Sequence, residues 1–146
     1  MLFLAGAISC FNGRVRDAPL TSAISKLRGQ CITLKQPMFI VDGRDGDTVN
    51  AYLAPSQNTA NSGVRVAAGD QFIIDRTVLK RTFDGRYSII AGHCKTKRVD
   101  RKIWLFLLFN QEWITRAERA AFADDPKEGP VSARDALFAE RARWCE

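Results

Sequence analysis

The side chains best suited to catalysis in this chain are adjacent: the single histidine, His93, precedes Cys94. In a cysteine hydrolase the imidazole must lie within hydrogen-bond reach of the thiol that it deprotonates. Neighbouring residues of a β-strand point to opposite faces, and the surrounding sequence YSIIAGHC is typical of a strand. We therefore predict no Cys–His catalysis. Because the sequence also has no Gly-rich phosphate loop and no H-E-x-x-H or G-x-S-x-G motif, we expect a protein that is not an enzyme.

A second chemical feature is the basic segment KTKRVDRK at 95–102, which is called the basic loop below. Such a loop can bind the phosphates of nucleic acid or another anionic surface, and an aromatic residue just beyond it, Trp104, can stack on a base. Because Trp104 lies in an apolar run, however, we expect its side chain in the core. Alternatively, it is only a solvated loop on a basic protein. The candidate binding residues are Lys95, Lys97, Arg98, Arg101 and Lys102.

The four cysteines are too widely spaced for a zinc site, and we predict neither a metal nor a cofactor. If Cys10 is modified, one disulfide remains possible among the other three. We expect Cys31 to pair with Cys94, closing a long loop that stabilises the fold by about 4 kcal/mol in the entropic model. Cys145 would then be free or bonded to another chain. In a reducing cytosol all four would remain thiols.

The chain opens with the apolar stretch MLFLAGAISC, which is either a first buried strand or a signal peptide. Residues 7–10, Ala-Ile-Ser-Cys, resemble the lipobox of bacterial lipoproteins. That resemblance implies cleavage before Cys10, lipidation of its thiol and firm membrane anchoring, since each buried methylene contributes about 0.8 kcal/mol.

Composition and charge limit the function classes further. The 146 residues, 46% hydrophobic and 26% charged, suit one soluble globular domain. Away from the opening stretch the longest apolar run, IWLFLLF, has seven residues, far fewer than the roughly 18 needed to cross a bilayer. The net charge of +6 favours an anionic partner.

The pattern between 30 and 110 predicts a small antiparallel barrel or sandwich. We expect turns at 42–47, an exposed loop at 56–63, and an Asp84-Gly85 hairpin that joins strand 73–83 to strand 86–91. The predicted strands are 31–41 with a bend at Pro37, 50–55, the two arms of the hairpin, and a continuous buried strand at 103–109.

Helices are expected outside this region. A short one follows Thr21 or Ser22 and stops at Gly29, and capping-box patterns begin two more at Thr115 and Ser132. The expected division is a signal remnant at 1–9, a tether at 10–29, a barrel at 30–110 and a helical extension at 111–146.

The spacing V-x-V-x-x-G-D-x-F-x-I at 64–74 resembles that of SH3-like small barrels. The resemblance implies a mainly β module that binds peptides, glycans or proteins, and it transfers no binding residue to this chain.

Two functions fit these observations. The first is a non-enzymatic envelope lipoprotein, periplasmic or at the outer membrane, that binds another envelope protein or an anionic surface through the basic loop. The alternative is a cytoplasmic small barrel that binds nucleic acid through the same loop.

Overall fold

A computed structural model of the chain describes residues 22–45, 48–56, 63–82, 85–122 and 132–146. The fold is mainly β with few short helices, as the sequence predicts. The helices are α1 (Ser22–Ser25) and α2 (Gln111–Phe122), with 3₁₀ turns at Phe106–Leu108 and Ala133–Ala136. The strands are β1 (Cys31–Leu34), β2 (Met38–Asp45), β3 (Thr48–Ala54), β4 (Val64–Val66), β5 (Gln71–Thr82), β6 (Gly85–Cys94), β7 (Ile103–Trp104) and β8 (Ala142–Trp144).

The strands form one sheet in the order β4-β2-β3-β7-β6-β5-β1-β8, which curls into a half-barrel. Neighbours are antiparallel except β3 and β7, which are parallel. The curl is required by two short connections, since residues 67–70 join β4 to β5 and residues 35–37 join β1 to β2. Each connection links strands that lie far apart in the sheet order, so the sheet must bend to bring them together.

The hydrophobic core fills the concave side of the sheet. Strand residues such as Phe72, Leu53 and Ile103 meet residues from the helices and turns, including Ile24 and Ile114. Burial of this continuous apolar surface is the main force that holds the helices on the sheet.

Several predicted elements are confirmed. The β-rich segment at 31–41 bends at Pro37, which separates β1 from β2 because proline cannot donate a ladder hydrogen bond. The strand expected at 50–55 is β3. The long hairpin of β5 and β6 pairs Thr82 with Gly85, while Asp84 and therefore the turn type lie outside the described residues.

Other predicted strand and turn limits are wrong. Residues 42–45 continue β2 instead of turning, so the hairpin to β3 begins later. The run 103–109 is a strand only at Ile103 and Trp104, and then becomes a 3₁₀ turn. Leu105, Leu108 and Phe109 enter the core from this turn, which shows why an apolar run does not by itself define a strand.

The predicted C-terminal helices are also corrected. Helix α2 begins at Gln111, before the capping box at Thr115. Ser132 does cap a turn, accepting a hydrogen bond from the Arg134 amide at 3.3 Å, but the chain leaves the helical path after Ala136. Residues 142–144 instead form β8, because β1 offers an open ladder for them. The C-terminal extension therefore completes the sheet.

Part of the segment expected to be a tether belongs instead to the folded part. Ile24 and Leu27, within the range 10–29, are fully buried core residues. Gly29 ends this segment with φ of +83°, a left-handed conformation that favours glycine. Residues 1–21 and 57–62, including most of the loop expected at 56–63, lie outside the described residues.

Candidate macromolecule-binding surface

The basic loop connects β6 to β7 and is fixed at both its start and its middle. The Thr96 hydroxyl donates to the Asp70 carboxylate at 2.9 Å and accepts from the Gln71 amide at 3.1 Å. Asp70 also accepts from the Ala67 amide at 2.8 Å, so one carboxylate joins the loop to the turn between β4 and β5. Val99 packs against the core. These contacts give the loop a defined conformation before any partner binds.

The structure partly neutralises the charge of the predicted binding residues. Lys97 lies 3.9 Å from the Asp70 carboxylate, and Arg101 forms an ion pair with Asp42. Arg98 and Asp100 lie 3.6 Å apart, but both side chains are more than 85% exposed, and such pairs contribute little to stability.

Lys95 and Lys102 are exposed, and their side chains form no hydrogen bond or ion pair with the part of the chain that the structure describes. The loop therefore presents these two ammonium groups and the weakly paired Arg98 to solvent. The structure brings all five predicted residues to one loop, and three of them have acidic partners.

An aromatic row lies on the convex face of the sheet, next in sequence to the basic loop. Tyr52 and Trp104 are register partners on β3 and β7, and both are partly exposed. Partners in register share a face, so their side chains project to the same side. The Phe106 ring stacks on Tyr52 with centroids 6.2 Å apart. Tyr and Trp in such positions offer large contact area to a partner.

His93 and Cys94 lie on opposite faces of β6, as predicted. The imidazole Nδ1 of His93 lies 2.8 Å from the Asp75 carboxylate on the exposed side. Asp75 has this position because the β5–β6 register shifts between Ile74 and Arg76. The Cys94 thiol is buried on the core side. The pair therefore cannot act together as nucleophile and base.

The structure contains a disulfide between Cys31 and Cys145, so the predicted pairing of Cys31 with Cys94 is wrong. Cys94 is a free, buried thiol, and Cys145 is neither free nor available to another chain. The reason is the strand register. Ile32 pairs with Trp144, which sets Cys31 opposite Cys145 with their Cα atoms 5.2 Å apart, a separation that suits a disulfide.

The same register excludes the pairing that the sequence suggested. Cys94 pairs with Phe72 on the core side, whereas Cys31 pairs with Ile73. Because Phe72 and Ile73 are adjacent in β5, the two cysteines project to opposite faces.

The remaining predicted residue, Cys10, lies outside the described residues, as does the whole lipobox. Within the described ranges no three His, Cys, Asp or Glu side chains are grouped to hold a metal ion. The described helices include none that is long and apolar enough to cross a membrane.

Sequence reasoning missed two residues that organise this surface, Asp70 and Thr96. Their positions, at a turn and in a loop, carry no signal that they meet. It also missed Cys145 as the partner of Cys31, because the sequence pattern predicts a helix at 142–144. Only the recognition of these residues as a strand paired with β1 could have placed the two cysteines opposite each other.

Comparisons of the chain with protein-family models, with curated proteins and with solved structures found no match.

Proposed function

We propose that the chain is a non-enzymatic lipoprotein of the bacterial cell envelope that binds another macromolecule. Cys10 is the lipidated anchor, and the folded part lies in the periplasm. The basic loop contacts an acidic envelope protein or an anionic surface.

The Cys31–Cys145 disulfide carries this proposal. Disulfides form and persist in oxidising compartments such as the periplasm and are rare in the cytosol. This one joins residues separated by 114 positions and ties β8, at the end of the sheet, to β1. A bond that fixes the C-terminal strand favours the envelope over a reducing cytosol.

The arrangement of the basic loop supports a binding role. The loop is held by the hydrogen bond from the Thr96 hydroxyl to Asp70 and by the packing of Val99, so little conformational entropy is lost when a partner binds. Lys95 and Lys102 project into solvent, where they favour encounter with an acidic surface.

A binding protein is also consistent with the surroundings of His93. Its imidazole contacts Asp75, and the Cys94 thiol is on the other side of the strand. This arrangement keeps the Cys94 thiol out of reach of the histidine.

Expression of the gene with its native upstream region in a Gram-negative host tests the proposal. We expect the intact mass to show loss of the residues before Cys10 and a gain of acyl chains. The Cys10→Ala variant is the matched control and should keep its full, unacylated length. Alkylation of free thiols in denaturant, after the cells have been quenched with acid, should label Cys94 but not Cys31 or Cys145.

The opposite result would support the cytoplasmic alternative. An unmodified mass, with Cys31 and Cys145 both alkylated and salt-sensitive retention of nucleic acid, would overturn the envelope proposal.

A further inference from the structure

Strand β4 is the edge of the sheet beside the basic loop. Among the described strands it pairs with β2 alone, through the register Met38–Val66, Phe39–Arg65 and Ile40–Val64. The carbonyl oxygen of Arg65 accepts a hydrogen bond from the Lys97 ammonium at 2.6 Å. A side chain of the basic loop therefore occupies a backbone acceptor that a further strand would otherwise use.

Covering an edge with lysine prevents unspecific strand pairing, because any incoming strand must displace the charge or compensate for it. The Lys97 side chain is 43% exposed and lies on a flexible stem, so it can leave the carbonyl without disturbing the core. An incoming strand that carries a carboxylate would give the ammonium a new partner.

The two faces of β4 differ in chemistry. Arg65 is exposed on one face, while Val64 and Val66 share the other. Val64 is 44% exposed, the only large hydrophobic side chain at that exposure among the described residues. A strand laid beside β4 would place one side chain next to Arg65 and the next one beside Val64.

The charge around this edge is positive. The basic loop, which reaches β4 through Lys97, carries five basic residues and one acid, Asp100, and Arg65 adds a sixth positive charge on β4 itself. Two further acids, Asp70 and Asp42, pair with Lys97 and Arg101, so the basic residues still outnumber the acids. An acidic partner complements this surface, whereas a basic one would be repelled.

We propose that the β4 edge binds an extended acidic peptide segment of another protein by strand addition. Backbone hydrogen bonds to Arg65 provide affinity, and acidic residues alternating with apolar ones provide specificity. An acidic side chain of the peptide forms ion pairs with Arg65 and with the Lys97 ammonium, which then leaves the Arg65 carbonyl. An apolar side chain of the peptide packs on Val64. This inference rests on the proposed binding function and names the partner's chemistry and mode of binding.

A short synthetic peptide in which Glu alternates with Val is the probe, and its binding to the full chain is measured by calorimetry. Amide exchange at Arg65 should slow when the peptide is bound. A peptide with Lys in place of Glu should not bind. The Glu-Val peptide methylated on alternate backbone nitrogens should also fail, because it keeps the charge but cannot complete the ladder.

The protein variant that tests the surface is Arg65→Glu, for which we expect binding about tenfold weaker, since an attractive cross-strand pair becomes repulsive. Arg28→Glu makes the same charge change at an exposed position in the turn after α1 and should leave binding unchanged.

Absence of binding by the Glu-Val peptide would overturn the inference, as would equal binding of the methylated or Lys-containing peptide. Displacement of the bound peptide by single-stranded DNA would assign the surface to phosphates and also overturn it. None of these results changes the mass or the disulfide state of the envelope form, so the proposed function and this inference fail separately.

Discussion

The Asp70 carboxylate accepts a hydrogen bond from the Thr96 hydroxyl at 2.9 Å, and this contact holds the basic loop against the turn between β4 and β5. The same carboxylate accepts from the Ala67 amide within its own turn. Its side chain is only 15% exposed, so water competes poorly for these bonds. Asp70 therefore determines where the lysines of the loop lie relative to the β4 edge.

Removing this carboxylate should weaken the fold measurably. We expect Asp70→Ala to lower the free energy of unfolding by about 2 kcal/mol, because hydrogen bonds to a charged group contribute more than neutral ones. Thr96→Val should cost about 1 kcal/mol, and Thr96→Ser, which keeps the hydroxyl, less than about 0.5 kcal/mol. Urea denaturation measures all three, and equal stability of the Val and Ser variants would contradict the role of the hydroxyl.

The disulfide can be mapped by digestion with trypsin without reduction. Residues 29–35, which contain Cys31, should remain linked to residues 144–146, which contain Cys145, and residues 87–95 should carry a free Cys94 thiol. A linked pair of 29–35 with 87–95 would show that the bond is wrongly assigned.

Loss of the disulfide should destabilise the chain substantially. In the entropic model a loop closed over 114 positions contributes about 5 kcal/mol, so Cys145→Ala should reduce the free energy of unfolding by up to that amount. Cys94→Ala is the control, since it removes a buried thiol but leaves the disulfide intact. Equal stability of the two variants would count against a structural role for the bond.

Helix α2 begins at Gln111 in the structure, whereas the sequence pattern predicts a start at Thr115. The Asn110 side-chain oxygen accepts from the amides of Glu112 and Trp113 at 3.1 and 3.4 Å. Asn110→Ala should therefore cost about 1 kcal/mol. Thr115→Ala, at the predicted capping box, should change stability by less than about 0.5 kcal/mol because Thr115 lies inside the helix. If urea denaturation shows a larger loss of stability for Thr115→Ala than for Asn110→Ala, the helix begins at Thr115, as the sequence pattern predicts.

Local sequence patterns correctly predict the features that depend only on residues close together in the chain. The β5–β6 hairpin and the break at Pro37 follow from a turn dipeptide and from a residue without an amide hydrogen. Opposite orientation of His93 and Cys94 follows from strand alternation alone. The five basic residues at 95–102 were evident as a loop because no apolar period crosses them.

The features that failed depend on contacts between distant positions. Residues 142–144 have helical propensity, but pairing with β1 and the bond from Cys145 to Cys31 hold them extended. Leu108 and Phe109 look like strand residues but fill the core from a turn. The cover of the β4 edge by Lys97 requires that the loop after β6 reach a strand far from it in the sheet order, which no local pattern encodes.

Gly92 of β6 lies so close to the backbone of β5 that there is no room for a side chain at this position. It pairs with Ile74 on β5 and with Ile103 on β7, next to the register shift at Asp75. A β-carbon at this position would lie 2.1 Å from the carbonyl oxygen of Ile73, which is backbone and cannot move aside cheaply. Gly92→Ala should therefore cost about 3 kcal/mol or more, or prevent folding.

Gly29→Ala adds the same methyl group where nothing lies within 4 Å, but at a φ of +83°. Its expected cost is about 1 to 2 kcal/mol, from backbone strain alone. Circular dichroism during urea denaturation compares the two variants, and a failure of Gly92→Ala to fold counts as the larger effect. If Gly92→Ala has the same free energy of unfolding as Gly29→Ala, then Gly92 does not lie as close to the β5 backbone as the structure shows.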